Sequence, residues 1–122
     1  MKNQIKNLPE FIKLIERYET ITLEEIERMK YDLISLTGFG SSCTCTLCLG
    51  AGYPRLDKCD FCIWLLTVEK YTPFQSNCFI GGNKKTYDAI ERARTPNGLL
   101  TAYRNRAKHM RSVLEKLNIE MP

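Results

Sequence analysis

The stretch CTCTLCLGAGYPRLDKCDFC, residues 43–62, carries five of the six cysteines in this chain of 122 residues. It contains two Cys-x2-Cys pairs, Cys45 with Cys48 and Cys59 with Cys62, which ten residues separate. A Cys-x2-Cys turn directs two sulfurs at one ion, so two such turns supply the four thiolates of a tetrahedral zinc site. The spacing therefore predicts a structural zinc centre whose binding energy orders a glycine-rich segment.

The sequence also leaves other uses of the cysteines open. Cys43 or Cys78 is an alternative to one of the four ligands, and otherwise each is expected to be a buried cysteine that binds no metal. An iron–sulfur cluster uses the same thiolates, although the longer ferredoxin spacings are missing. A redox dithiol at Cys59 and Cys62 lacks the expected βαβ surroundings.

The fold of the module follows from what surrounds the second pair. The run 61–71 fits a helix or a buried strand, and we favour a helix because Asp60 provides a cap. Thiolates at a helix start are stabilised by the helix dipole. A knuckle followed by a second pair on a helix N-terminus predicts a treble-clef-like or zinc-ribbon-like module.

Residues 45–52 have the form Cys-x2-Cys-x-Gly-x-Gly. This octapeptide resembles a zinc repeat of the J-domain cochaperones. The resemblance implies that Cys45 and Cys48 are zinc ligands. It extends no further, because the second pair lacks the glycines and the chain has no His-Pro-Asp motif.

Helical patterns precede the module. Apolar residues recur at helical spacing over Glu10–Tyr18 and again over Leu23–Leu36. Thr22 with Glu25 three residues later is typical of a capping box. Residues 1–38 are therefore predicted to form a helical hairpin.

Helical patterns also follow the module. Asn83 is expected to cap a helix over Lys84–Arg94, and Thr95-Pro96 is expected to begin a long amphipathic helix. The apolar seam of that last helix consists of Leu100, Tyr103, Ala107, Met110, Leu114 and Leu117. His109 lies off the seam and is expected at the surface or its boundary.

The whole chain, 1–122, is predicted to be a single, mainly α domain of about five helices. The module over 39–82 is inserted between the hairpin and the C-terminal helices, 83–122. The first residues contain no apolar run of the kind found in secretory leaders, and the sequence has no apolar run long enough to span a bilayer, so we expect a cytoplasmic protein with no leader and no membrane partner. In a reduced compartment, clustered cysteines more often bind metal than form disulfides.

The positive charge is concentrated in the last third of the chain. Residues 84–122 contain nine basic and four acidic side chains, whereas the preceding residues are close to neutral. Arg104, Lys108 and Arg111 share one stripe of the last helix, which is suited to a nucleic-acid phosphate backbone, and Lys84 and Lys85 are candidates to assist. The competing interpretation is an ordinary solvated helix face.

No catalytic set emerges, because the chain has one histidine, no phosphate-binding loop of the Walker type, and a zinc site closed by four thiolates. We therefore expect a non-enzymatic, zinc-stabilised nucleic-acid-binding or regulatory protein. The alternative is a protein–protein adaptor or inhibitor, of the kind that phages or mobile elements encode, which docks through the zinc loop or the helix seam. A thiol oxidoreductase is a third class.

Overall fold

The computed structural model describes residues 5–29, 46–52, 61–67 and 81–121. Over these ranges the chain forms five α-helices and one 3₁₀ helix and contains no strand, which confirms the mainly α class. The elements are α1 (Leu8–Thr20), α2 (Leu23–Arg28), α3 (Thr46–Ala51), the 3₁₀ helix (Ile63–Thr67), α4 (Gly81–Arg92) and α5 (Pro96–Lys116). None of the helices in these ranges has the length and apolar character needed to cross a membrane.

The two N-terminal helices follow the local signals closely. Helix α1 has a proline in its first turn and buries the predicted stripe of Phe11, Leu14, Ile15 and Tyr18. The capping box that begins α2 is confirmed, because the Thr22 hydroxyl accepts from the Glu25 N–H at 3.2 Å and the Glu25 carboxylate accepts from the Thr22 N–H. Helix α2 ends at Arg28, before the predicted Leu36, and residues 30–45 lie outside the described ranges.

Helix α5 is the centre of the bundle, and α1, α2 and α4 all pack against it. Its predicted start is confirmed, since the Thr95 hydroxyl caps the helix by accepting from the Gly98 N–H at 3.0 Å. Tyr103 is buried, as predicted, and stacks on Tyr18 with the ring centroids 5.3 Å apart. Each fully buried large apolar side chain of this core contributes about 1.5–3 kcal/mol.

The segment after Cys62 is a 3₁₀ helix over Ile63–Thr67, where we predicted an α-helix over 61–71, and residues 68–71 lie outside the described ranges. The Thr67 hydroxyl donates to the Trp64 carbonyl at 2.6 Å, a local bond that competes with regular α-helical pairing. Trp64 is only 1 % exposed and meets Phe11 edge to face at 5.0 Å. The residues that follow the second cysteine pair are therefore anchored in the core of the bundle.

The prediction that Asn83 caps α4 was wrong. The helix begins at Gly81, and Asn83 lies inside its first turn with only 3 % of its surface exposed. Gly81 has φ of +54°, which a glycine adopts without strain. Helix α4 thus begins three residues before the predicted Lys84.

Candidate metal centre and basic faces

Only part of the cysteine module lies within the described residues. Cys62 is buried, and Cys48 lies in α3 with no description of its side chain. The other predicted or alternative ligands lie outside the described ranges, namely Cys43, Cys45, Cys59 and Cys78. Among the side chains that are described, no three histidine, cysteine or acidic residues form a cluster suited to a metal. The four-thiolate site therefore stays a prediction from spacing.

The side chain of Asn7 joins the two halves of this module. Its amide nitrogen donates to the Leu47 carbonyl and to the Cys62 Sγ, both at 3.0 Å. Its amide oxygen accepts from the backbone N–H of Ile63 at 2.8 Å. Asn7 is completely buried. The Asn7 side chain thus connects Leu47, the residue before Cys48, with Cys62, although Asn7 is 40 and 55 positions away from them in the sequence.

The local structure explains why glycine suits both positions of the Cys-x2-Cys-x-Gly-x-Gly motif, Gly50 and Gly52. A Cβ atom on Gly50 would lie 2.5 Å from the Glu10 Oε1 and 2.9 Å from the Glu10 Cγ, so a larger residue there would displace the Glu10 side chain of α1. Gly52 follows the end of α3 with φ of +120°, a conformation that disfavours other residues. Gly50 therefore leaves room for the Glu10 side chain, and Gly52 permits the turn that ends α3.

Arg104, the first residue of the predicted nucleic-acid stripe, binds within the protein. Its guanidinium donates to the carbonyl oxygens of Tyr18 and Ile21, each at 2.6 Å. These carbonyls lie at the C-terminal end of α1, where main-chain acceptors lack helical partners and the dipole favours a cation. Arg104 therefore caps α1 and fastens it to α5.

Arg111, the last residue of the stripe, also makes an internal contact. Its guanidinium donates through Nε and Nη2 to both carboxylate oxygens of Glu19 on α1. The bond from Arg111 holds the pKa of Glu19 below its ordinary value. Glu16 and Glu115 add further negative potential around Arg111. The stripe is consequently flanked by acidic side chains at this end.

The remaining predicted cations are exposed. Lys108 lies between the two arginines and faces solvent. Lys84 pairs with Asp88 one turn later on α4. Lys85 is exposed and lines a shallow concave surface of about 360 Å³ on α4 together with Lys84 and Arg92. The structure thus places exposed positive charge on α4 as well as on α5.

A polar network under the 3₁₀ helix was not predicted from the sequence. Arg106 is completely buried, and its guanidinium lies 4.7 Å from the Trp64 ring while donating to the Asn83 carbonyl and the Thr86 hydroxyl at 2.7 Å each. The favourable geometry of a cation over an indole face contributes to holding this charge inside the core. The helical pattern could have indicated that Arg106 is buried, because it lies on the same face of α5 as Tyr103 and Met110.

His109 completes the network. Its ring stacks on Trp64 at 5.9 Å, and its Nε2 forms a 2.7 Å hydrogen bond with the Asn83 Oδ1. The Asn83 amide in turn donates to the Thr67 hydroxyl at 2.7 Å. Burial lowers the pKa of His109 below 6.5, and the charges of Arg106 and Lys116 lower it further, so the neutral imidazole is favoured.

No family model, curated protein or solved structure matches the chain.

Proposed function

We propose that this chain is a non-enzymatic, zinc-stabilised protein that binds nucleic acid in a regulatory role. Zinc is held by Cys45, Cys48, Cys59 and Cys62 in a treble-clef-like or zinc-ribbon-like module. The contact that supports the metal site most directly is the bridge made by Asn7. It brings Leu47, the neighbour of Cys48, to the Sγ of Cys62, so one member of each Cys-x2-Cys pair is held in the same region.

A zinc ion bound by four thiolates has no open coordination position, so its role is structural. The anchoring of the flanking segments supports this role. Trp64, two residues after Cys62, lies in the core between Phe11 and His109. Leu47, one residue before Cys48, is buried as well. Ordering the module by metal is therefore coupled to packing of the bundle.

The nucleic-acid contacts are proposed to lie mainly on α4. Within the part of the chain that the structure describes, Lys85 and Arg92 are exposed and form no ion pair, and they share a concave face with the Lys84–Asp88 pair. Lys108 adds an exposed charge on α5. Arg104 and Arg111 contribute less, because their guanidinium groups already bind carbonyls and a carboxylate of α1.

The metal proposal is tested by elemental analysis of protein purified without added metal. We expect about one zinc per chain, and removal of zinc with a chelator is expected to lower the helical circular dichroism signal and the thermal midpoint. Substituting Cys45 and Cys59 by serine should abolish binding. Native protein that contains no metal and has either free thiols or disulfides would refute the proposal.

The nucleic-acid proposal is tested with the double variant Lys85→Glu with Arg92→Glu. We expect salt-dependent binding to DNA or RNA in the wild type, and a salt slope lower by about two in the variant, since each lost phosphate contact removes about one. The matched control is Lys13→Glu with Arg28→Glu, which changes the net charge equally at exposed sites on α1 and α2. Equal loss in both variants would show that only net charge matters.

A protein adaptor remains the second candidate because an apolar groove of about 200 Å³ lies next to the module. Its lining consists of Ile5, Leu8, Ile63, Leu66 and Ile119. A groove of this composition fits an apolar side chain of a protein partner. Absence of any DNA or RNA binding at low salt, together with loss of apolar-dye binding in Leu66→Glu, would favour the adaptor.

A further inference from the structure

We infer that Asn7 is the positioning residue of the metal centre. It orients the Cys62 sulfur for metal binding and links the centre to the start of α1. The inference rests on the proposed zinc site, and it assigns a role to a residue that belongs to neither Cys-x2-Cys pair.

Both the amide nitrogen and the amide oxygen of Asn7 hydrogen-bond to residues of the cysteine module. An asparagine amide has two N–H donors and one carbonyl acceptor. In Asn7 the donors are used by the Leu47 carbonyl and the Cys62 Sγ, and the oxygen is used by the Ile63 N–H. The side chain is fully buried, so none of these bonds is shared with bulk water.

The neighbouring residue reinforces the same attachment. The Lys6 N–H donates to the Phe61 carbonyl at 2.9 Å, and the Lys6 ammonium lies 4.5 Å from the centre of the Phe61 ring. Residues 6 and 7 therefore contact residues 61, 62 and 63 in order. The backbone bond from Lys6 holds Phe61, the residue before Cys62, and the Asn7 bonds hold Cys62 itself and Ile63 after it.

This arrangement is suited to a ligand cysteine. A donor held 3.0 Å from sulfur fixes the direction of one lone pair and leaves the others available for a metal. Partners in the second coordination shell orient ligands in this way, and removing them typically weakens metal binding by about 10- to 100-fold. Because Asn7 also bonds to the Leu47 carbonyl, its side chain is held at a fixed distance from α3, the helix that contains Cys48.

The test compares Asn7→Leu with the matched control Asn83→Leu. Both asparagines are buried and bridge separate elements, and the side chain of Asn83 bonds to Thr67 and His109. Cobalt is used as the spectroscopic probe, and zinc affinity is measured by competition with a chromophoric chelator. Loss of stability is recorded for each variant by urea denaturation of the zinc-loaded protein.

We expect Asn7→Leu to shift the thiolate-to-cobalt charge-transfer band and to weaken zinc binding by about 10- to 100-fold. Asn83→Leu is expected to reduce stability while leaving the band and the zinc affinity unchanged. Asn7→Ser keeps one donor of smaller reach, and is expected to fall between the wild type and Asn7→Leu. It serves as the measured variant if Asn7→Leu does not fold.

An Asn7 variant that loses stability but keeps the wild-type band and affinity would overturn the inference, because Asn7 would then be a structural bridge only. Wild-type protein that binds neither zinc nor cobalt would instead overturn the proposed function on which the inference rests. The two failures are therefore distinguishable in the same titration.

Discussion

Replacing Arg104 by methionine separates a structural role for the α5 stripe from a role in nucleic-acid binding. Methionine retains most of the apolar stem of arginine but removes the guanidinium. The variant therefore loses the two 2.6 Å hydrogen bonds to the carbonyls of Tyr18 and Ile21, which close the C-terminal end of α1. The matched control is Lys108→Met, one turn later on the same helix, where the side chain is exposed.

The expected loss follows from the geometry. A hydrogen bond to a charged group contributes about 1.5–3 kcal/mol, so two give about 3–6 kcal/mol as an upper bound. Arg104 is partly exposed and the freed carbonyls gain access to water, which reduces the net loss to about 2–3 kcal/mol. With an unfolding entropy of about 2.1 cal/mol/K per residue, a chain of 122 residues should lose about 8–12 °C in its thermal midpoint.

The measurement is urea denaturation followed by circular dichroism, with the slope of the transition checked for constancy. Lys108→Met is expected to stay within about 0.5 kcal/mol of the wild type. Nucleic-acid binding is measured on both variants at a temperature where both are folded. A stability change of Arg104→Met no larger than that of the control, accompanied by weaker nucleic-acid binding, would refute the capping role and support the stripe as an interface.

Other contacts give smaller, distinct effects. Gly50→Ala is expected to cost less than about 1 kcal/mol, because it displaces only the flexible Glu10 side chain, and a double-mutant cycle with Glu10→Ala should recover that loss; no recovery would contradict the packing argument. Arg111→Met should cost less than about 1 kcal/mol, because its ion pair with Glu19 is half exposed. Folding lowers the pKa of His109, so the neutral imidazole stabilises the folded protein fully above pH 6.5, and this stabilisation is lost as the pH falls below that value. His109→Gln should therefore make the free energy of unfolding less dependent on pH in this range. A pH profile that the substitution leaves unchanged would contradict this role of His109.

The helices that depend on local signals could be predicted from the sequence. The stripe of α1, the capping box at Thr22 and the Thr95 cap require only residues a few positions apart, and the structure confirms them. Asn83 failed as a cap because its side chain is used by Thr67 and His109 on other elements. A tertiary hydrogen bond of this kind leaves no trace in a local pattern.

The cysteine spacing predicts ligand chemistry but not what surrounds it. Asn7 lies near the N-terminus, 55 positions from the sulfur to which it donates, and no spacing rule connects the two. Gly50 looked like part of a zinc-repeat motif, whereas the structure also places it against the Glu10 side chain of α1. A motif residue can thus have a packing neighbour that the motif itself does not indicate.

Charge on α5 illustrates why counting basic residues does not identify a partner. Arg104 and Lys108 are one turn apart, yet only Arg104 reaches the open carbonyls at the end of α1. Arg106 is turned into the core against Trp64, and Arg111 meets a carboxylate. Three of the basic residues on this helix thus stabilise the fold, whereas Lys108 and the α4 residues Lys85 and Arg92 are exposed and can meet an anionic partner. For this reason the α4 variants, rather than arginine substitutions on α5, are the cleaner test of nucleic-acid binding.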